Sequence, residues 1–134
     1  MKDLYELLED IKHDPIKYLG RTSVVALKGF INGYDLARRE MGIPLTEQEK
    51  DFQEFQAWIN PPDKPFFYSK DDSWDKILIL FAQDESNAFN YFFSRLEQFK
   101  NRIPIEKPSE IELEKARAER RRIRAEWQKS QNSQ

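Results

Sequence analysis

Residues 14–41, DPIKYLGRTSVVALKGFINGYDLARREM, contain the longest well-signalled helix of the first hundred residues. The Thr-Ser dipeptide in front of Val24 supplies an N-cap, because a hydroxyl oxygen at that position accepts a free backbone N–H of the first turn. Val24, Leu27, Ile31 and Tyr34 then recur at the spacing of one helical face. The stretch therefore predicts an amphipathic helix around which the other segments pack.

This predicted helix carries two internal glycines and a clear C-terminal signal. Gly29 and Gly33 lie four residues apart, and each costs about 1 kcal/mol relative to alanine. We expect another helix or a ring to pack closely against this bare strip, with a backbone approach to a ligand as the alternative. Arg38 and Arg39, followed by Gly42, predict the end of the helix, since basic side chains favour the negative end of the helix dipole.

Most of the remaining sequence also has helical patterns. Further helices are predicted over residues 3–12, from a capping box at Thr46 to Ile59, from Trp74 through the apolar run 77–81, and from Asp84 to about Asn101. The run 77–81 is apolar on every side, so periodicity does not separate a buried helix from a buried strand. We favour a helix because the chain has no second convincing strand. The predicted fold is all-α, a compact bundle of about five helices in residues 1–105.

The C-terminal residues differ in composition. Residues 106–134 contain eight Lys or Arg and six Asp or Glu, including the run Arg120-Arg121-Arg122, and they begin with a capping box at Ser109. Their apolar positions form no continuous stripe. We predict an additional charged helix that lies loosely on the body or projects from it, with a disordered end. The chain is thus divided into a helical domain, 1–105, and a charged helical tail, 106–134.

The composition excludes several chemistries. The chain has no cysteine, so thiol catalysis and thiolate metal sites are excluded, and the composition suits a reducing cytoplasm. Its one histidine, His13, is predicted in a loop before Asp14, and no glycine-rich phosphate loop is present. We predict no catalytic residue, no metal site, no cofactor and no enzymatic activity. No apolar run approaches the roughly 20 residues of a membrane span, so we expect no membrane association.

The charge distribution indicates the class of partner. Residues 1–105 contain fourteen basic and eighteen acidic residues, a net charge of −4. Glu47, Glu49, Asp51 and Glu54 are expected on one exposed helix. This profile argues against a nucleic-acid partner, because such partners need a basic face. A basic protein would dock well, since charge complementarity raises the encounter rate.

Candidate partner-binding residues are loop-proximal aromatic and charged side chains, the types that carry much of the binding energy in protein interfaces. For each aromatic residue, ordinary core packing is the alternative. The candidates are Tyr18, Arg21, Trp58, Tyr68, Asp71, Asp72 and Trp74.

The order of short motifs resembles a family of small, largely uncharacterised bacterial all-helical proteins. The motifs are DPxxYLGxxS at 14–23, FINGYDLARREMGI at 30–43, TEQEKDFQEFQAWI at 46–59 and SWDKI at 73–77. Some members of that family are associated with immunity proteins of polymorphic toxin systems. The resemblance covers roughly residues 1–100 and implies a cytoplasmic protein that binds and inhibits a toxin. The alternative is an accessory protein that acts through its Arg-rich tail, by oligomerisation or weak nucleic-acid contact.

Overall fold

The computed structural model describes residues 2–61, 72–102 and 109–132. Within these ranges the chain forms eight α-helices and no β-strand, which confirms the predicted all-α class. The helices are α1 (Leu4–His13), α2 (Pro15–Leu19), α3 (Val24–Glu40), α4 (Glu47–Phe52), α5 (Phe55–Ile59), α6 (Trp74–Ala82), α7 (Glu85–Lys100) and α8 (Glu110–Asn132).

Several helices begin at the polar residues that the sequence singled out. Ser23 is the N-cap of α3, and its hydroxyl accepts the Ala26 N–H at 3.2 Å. Thr46 and Glu49 form the predicted capping box at α4. Asp84 caps α7 by accepting the Asn87 N–H at 2.7 Å. These side chains bind N–H groups that have no partner within the helix.

Helix α7 lies at the centre of the bundle, in contact with α3, α5 and α6. The ring centroid of Phe55 in α5 lies 5.5 Å from that of Phe92 and 5.4 Å from that of Phe99, both in α7. All three side chains are at most 1% exposed. Such ring pairs contribute about 0.5–1.5 kcal/mol beyond the area that they bury. These phenylalanine rings therefore join α5 to the central helix α7.

The apolar run that periodicity could not classify is helical. Residues 77–81 belong to α6, where Ile77, Leu78 and Leu80 are buried. Helix α6 packs against α3, α7 and α8. A helix that is covered on several sides needs apolar residues around most of its circumference, which explains the continuous run.

The chain from Pro15 to Gly20, between the predicted helix over 3–12 and the predicted helix that follows Ser23, contains the short helix α2. Pro15 occupies its first turn, where the missing N–H of proline has no intrahelical partner to lose. The Asp14 carboxylate accepts the Lys17 N–H at 3.4 Å, and Gly20 ends the helix with a φ of +77°. Aspartate before a proline therefore starts a helix here.

The single helix predicted up to Ile59 is divided into α4 and α5. The Glu54 N–H donates to the Asp51 carbonyl, three residues earlier, at 3.1 Å. The four-residue pattern resumes when the Trp58 N–H donates to the Glu54 carbonyl at 3.0 Å. A turn closed by a hydrogen bond to the third residue earlier is tighter than an α-helical turn, and it interrupts the α-helix between α4 and α5. Together with α2, this division raises the number of helices above the expected five in residues 1–105.

Arg38 and Glu49 form an ion pair inside the bundle. Arg38 Nη2 lies 2.6 Å from Glu49 Oε1, and Arg38 Nε donates to Glu49 Oε2 at 3.1 Å. Both side chains are 5% exposed. The expectation that Glu49 lies on an exposed acidic face is therefore wrong, because this carboxylate caps α4 and also joins α4 to the end of α3.

The expectation of close packing against Gly29 and Gly33 is also wrong. A Cβ atom added at either glycine would meet no atom of the described residues within 4 Å. Val25 and Leu36, on the same helix, are 38% and 51% exposed. This face of α3 is open within the described residues.

The open surroundings predict that Gly29→Ala and Gly33→Ala each raise the free energy of unfolding by about 0.5–1 kcal/mol, since alanine loses less backbone entropy in a helix. Urea denaturation measures the change. Gly20→Ala is the matched control and should destabilise the protein, because Gly20 has a φ of +77°. A loss of stability in the two helical variants would mean that another group packs closely on α3.

Candidate protein-interaction surface

A stripe of five side chains runs along one face of α8. Its members follow the alternating three- and four-residue spacing of a helix-packing seam: Leu113, Ala116, Arg120, Ile123 and Trp127. The first two are 3% and 1% exposed, and α8 packs against α6. The last two are 42% and 62% exposed. The same face is therefore buried in the first turns of α8 and open to solvent in the last turns.

The docked part of α8 ends at an ion pair. Arg120 Nη2 lies 2.8 Å from Asp72 Oδ2, and these side chains are 24% and 12% exposed. Asp72 directly precedes the N-cap of α6. A charge pair so well shielded from water is expensive to break, because the remaining partner would stay desolvated. The pair therefore fixes the position along α8 at which the helix leaves the body.

Each described residue beyond this point, 121–132, is exposed. We call residues 121–132 the distal arm, and α8 continues to Asn132. The arm contains four basic residues and one acidic residue, a net charge of +3. Beside Ile123 and Trp127, Arg124 lies at one edge of the stripe and Glu126 at the other.

Ion pairs within α8 support the arm as a helix. Arg122 pairs with both Glu119 and Glu126, three residues earlier and four residues later. Hydrogen bonding from Arg122 lowers the pKa of Glu119, and hydrogen bonding to the two carboxylates raises the pKa of Arg122. Such pairs stabilise an isolated helix by about 0.2–0.5 kcal/mol each. Arg124 and Lys129 form no ion pair with any described residue.

Two predicted interface aromatics belong to the core. Trp74 is 6% exposed, and its ring centroid lies 5.8 Å from that of Phe55 and 5.0 Å from that of Phe92. Trp58 is half-buried and packs on Phe55 and Phe99 at 5.9 Å and 5.5 Å. The prediction that Trp74 is an exposed interface anchor is therefore wrong, because the aromatic core encloses its side chain.

The remaining described candidates each contact another residue of the chain. Tyr18 is half-buried, with its ring edge-to-face against Phe30 at 6.3 Å, whereas the Arg21 side chain is 61% exposed and lies 3.5 Å from Glu85. Asp72 is occupied by Arg120 rather than free at the surface. Tyr68 and Asp71 lie outside the described residues.

Among the described residues, metal or catalytic chemistry would need clustered ligands or a nucleophile beside a base. No group of three or more His, Asp or Glu side chains in these ranges is arranged to hold a metal ion. His13 lies in the last turn of α1 rather than in a loop, 3.1 Å from Glu9, and its side chain is 72% exposed. A cleft of about 420 Å³ between α6, α7 and α8 has Asn87, Tyr91 and Lys115 among its lining residues. We find no paired nucleophile and base among those lining residues.

Comparison of the chain with protein-family models, with curated proteins and with solved structures gave no match. The family resemblance therefore rests on its short sequence motifs alone. Among the described helices, none combines the length and the apolar character that a membrane crossing requires.

The pair between Asp72 and Arg120 predicts a local effect of mutation. Asp72→Ala should weaken the docking of α8 by about 1–3 kcal/mol, because it leaves a largely buried guanidinium without its carboxylate. Hydrogen exchange would show the loss as faster exchange of the α8 amides near Leu113, with little change in α7. Glu114→Ala is the control, since the side chain of Glu114 is 62% exposed and surface pairs contribute little. Equal exchange in both variants would contradict this account of the docking.

Proposed function

We propose that this chain is a non-enzymatic protein-binding domain that engages its partner through the distal arm. The observation that carries the proposal is the exposure of Ile123 and Trp127 on the face that packs against the body at Leu113 and Ala116. The docked part of α8 holds the arm, and the arm presents the stripe to solvent.

The residue types on the arm support a protein partner. Tryptophan and arginine are enriched among the side chains whose removal weakens protein interfaces most. Amphipathic helices commonly bind by laying an apolar stripe into a groove or against another helix. Trp127 would supply the anchor, Ile123 would extend the apolar contact, and Arg124 would lie at its edge.

A second candidate function is the immunity-type inhibitor that the motif resemblance implies. It is favoured by the net charge of −4 on residues 1–105, and its candidate contact residues include the half-buried Tyr18 and the exposed Arg21. In this version a basic toxin docks on the body, and the distal arm is not required.

Affinity capture with matched variants tests both candidates. The baits are the full chain, Ile123→Ser with Trp127→Ser, and Ile111→Ser as the control. Ile111 lies on the opposite face of α8 and is 72% exposed, so its substitution changes an apolar side chain outside the stripe. We expect one protein, identified by mass spectrometry, to bind the full chain and the control at equal stoichiometry and to be lost from the double variant.

A fourth bait separates the two candidates. Tyr18→Ala with Arg21→Ala should leave capture unchanged if the distal arm is the binding surface. A partner that the stripe variant retains and this variant loses would contradict the distal-arm proposal and favour the inhibitor. Circular dichroism of each bait shows that the helical content is retained.

A further inference from the structure

We infer that helix α6 is an intramolecular competitor for the partner of α8, so that undocking of α8 regulates the binding surface. The docked part of α8 hides the first half of the stripe, and its release from α6 makes the whole stripe available. This inference rests on the proposed function and adds a regulatory contact to the same surface. Three features carry it: the length of the stripe, the small number of buried side chains that hold α8, and the position of the ion pair between Arg120 and Asp72.

The open end of the stripe is short for a helix-binding surface. Ile123 and Trp127 are four residues apart, so they span about 6 Å along the helix axis. The whole stripe, from Leu113 to Trp127, spans about 21 Å, which is about four turns. Helices that bind in grooves present apolar side chains at positions i, i+3, i+4 and i+7. A partner helix that follows the stripe therefore reaches α6 before it covers all of the apolar side chains.

Few buried side chains hold α8 on the body. Leu113 and Ala116 are the buried residues of this 23-residue helix, whereas the 16-residue helix α7 has six. Within the described structure α8 packs chiefly against one helix, α6. Segments with few buried apolar contacts open at a lower free energy than the whole domain. The docked part of α8 can therefore leave α6 while the core around α7 stays folded.

The ion pair between Arg120 and Asp72 lies at the end of the docked part. Arg120 is the middle member of the stripe, between its buried and its open side chains, and Asp72 precedes α6. Because Asp72 is not part of α8, a substitution there changes the docking and leaves the stripe itself intact. The ion pairs of Arg121 and Arg122 with glutamates are internal to α8, so they would be kept when α8 leaves the body. Undocking would therefore release α8 as a helix with its stripe complete.

Helix α6 occupies the stripe as a partner helix would. It is apolar on most of its sides, and its Leu80 lines a cleft together with Lys115 of α8. A segment of the same chain competes at a high effective concentration. The apparent dissociation constant of a partner that needs the whole stripe therefore equals the intrinsic constant divided by the undocked fraction of α8. Weaker docking of α8 should then give tighter binding of the partner.

Hydrogen exchange of the full chain tests whether α8 opens separately from the core. We expect the amides between Leu113 and Arg120 to exchange at least about tenfold faster than those of α7, relative to their intrinsic rates. Asp72→Ala should accelerate the α8 amides by about tenfold more. Asp35→Ala is the matched control, because Asp35 forms a surface pair with Arg39 within α3, at 3.1 Å. Equal protection of α8 and α7 would overturn the inference, since α8 would then open only when the whole domain unfolds.

A synthetic peptide tests the competition directly. The probe is a labelled copy of residues 72–86, which contains α6 and the acidic residues that flank it. We expect the full chain with Asp72→Ala to bind the peptide about tenfold more tightly than the parent chain, and Asp35→Ala to bind it like the parent chain. Leu113→Ser added to Asp72→Ala should remove most of this binding, because the peptide needs the first half of the stripe. Ile111→Ser added to Asp72→Ala should leave it unchanged, since Ile111 lies on the opposite face of α8.

Three results with the peptide would overturn the inference. They are equal affinity of the parent chain and Asp72→Ala, tighter binding by the parent chain, and binding by Asp72→Ala that survives Leu113→Ser. The last result would place the peptide outside the stripe. A captured protein that depends on Trp127, and that the parent chain and Asp72→Ala retain equally at limiting bait, would also overturn the inference and would leave the proposed function standing.

Discussion

Glu49→Ala is expected to lower the free energy of unfolding by about 3–5 kcal/mol, because the variant leaves Arg38 buried without its carboxylate. The two side chains are 5% exposed and meet through two contacts, at 2.6 Å and 3.1 Å. The same substitution removes the carboxylate that accepts the Thr46 N–H in the capping box of α4. The first loss weakens the contact of α4 with the end of α3, and the second weakens the first turn of α4. Urea denaturation followed by circular dichroism measures the change.

Two controls separate the buried charge from the general effect of substitution. Glu47→Ala should change the stability by less than about 0.5 kcal/mol, because the Glu47 side chain is 93% exposed. Arg38→Met combined with Glu49→Leu should recover much of the loss, since a buried ion pair replaced by apolar side chains is often neutral. A single Glu49→Ala variant as stable as the parent would show that water reaches Arg38.

Phe55→Ala is expected to lower the free energy of unfolding by about 3–5 kcal/mol, through lost apolar burial and the cavity left behind. The ring is 1% exposed and stacks on Phe52 with centroids 5.3 Å apart. It also lies edge-to-face against Trp74, Phe92 and Phe99. Removal of this ring therefore loosens the contacts of α5 with both α6 and α7.

Graded substitutions give the control for this prediction. Phe55→Leu should cost less than Phe55→Ala because leucine fills part of the cavity. Val25→Ala should change the stability little, since Val25 is 38% exposed on the open face of α3. Equal losses for Phe55→Ala and Val25→Ala would show that the aromatic cluster does not control the stability of the bundle.

Local signals in the sequence predicted most of the fold. The caps at Ser23, Thr46 and Asp84 depend on residues a few positions apart, so they are visible without tertiary structure. The helical state of residues 77–81 followed from the absence of a strand partner rather than from periodicity. The structure shows why periodicity failed, because α6 packs against three other helices.

Contacts between distant segments were not predictable. Nothing near Glu49 in the sequence indicates that the carboxylate turns inward to Arg38, eleven positions earlier. The same holds for Asp72, which the sequence offered as a surface residue and the structure pairs with Arg120. In both cases the sequence predicted an exposed charged side chain, and the structure pairs it with an oppositely charged side chain from another segment of the chain.

The stripe on α8 was present in the sequence but was not recognised. Leu113, Ala116, Ile123 and Trp127 have regular helical spacing only when Arg120 is counted as the central member. A search for apolar residues alone leaves a gap of seven positions there. The structure fills the gap by placing the Arg120 guanidinium against Asp72 at the edge of the body.

Photo-crosslinking at position 127 tests the central claim most directly. A photoreactive phenylalanine analogue would replace Trp127 in one version of the full chain and Ile111 in another, each expressed in the native cells and irradiated. The account predicts one protein adduct from position 127 and none of that protein from position 111. The same adducts from both positions, or no protein adduct from position 127, would contradict the claim that the distal arm is a protein-binding surface.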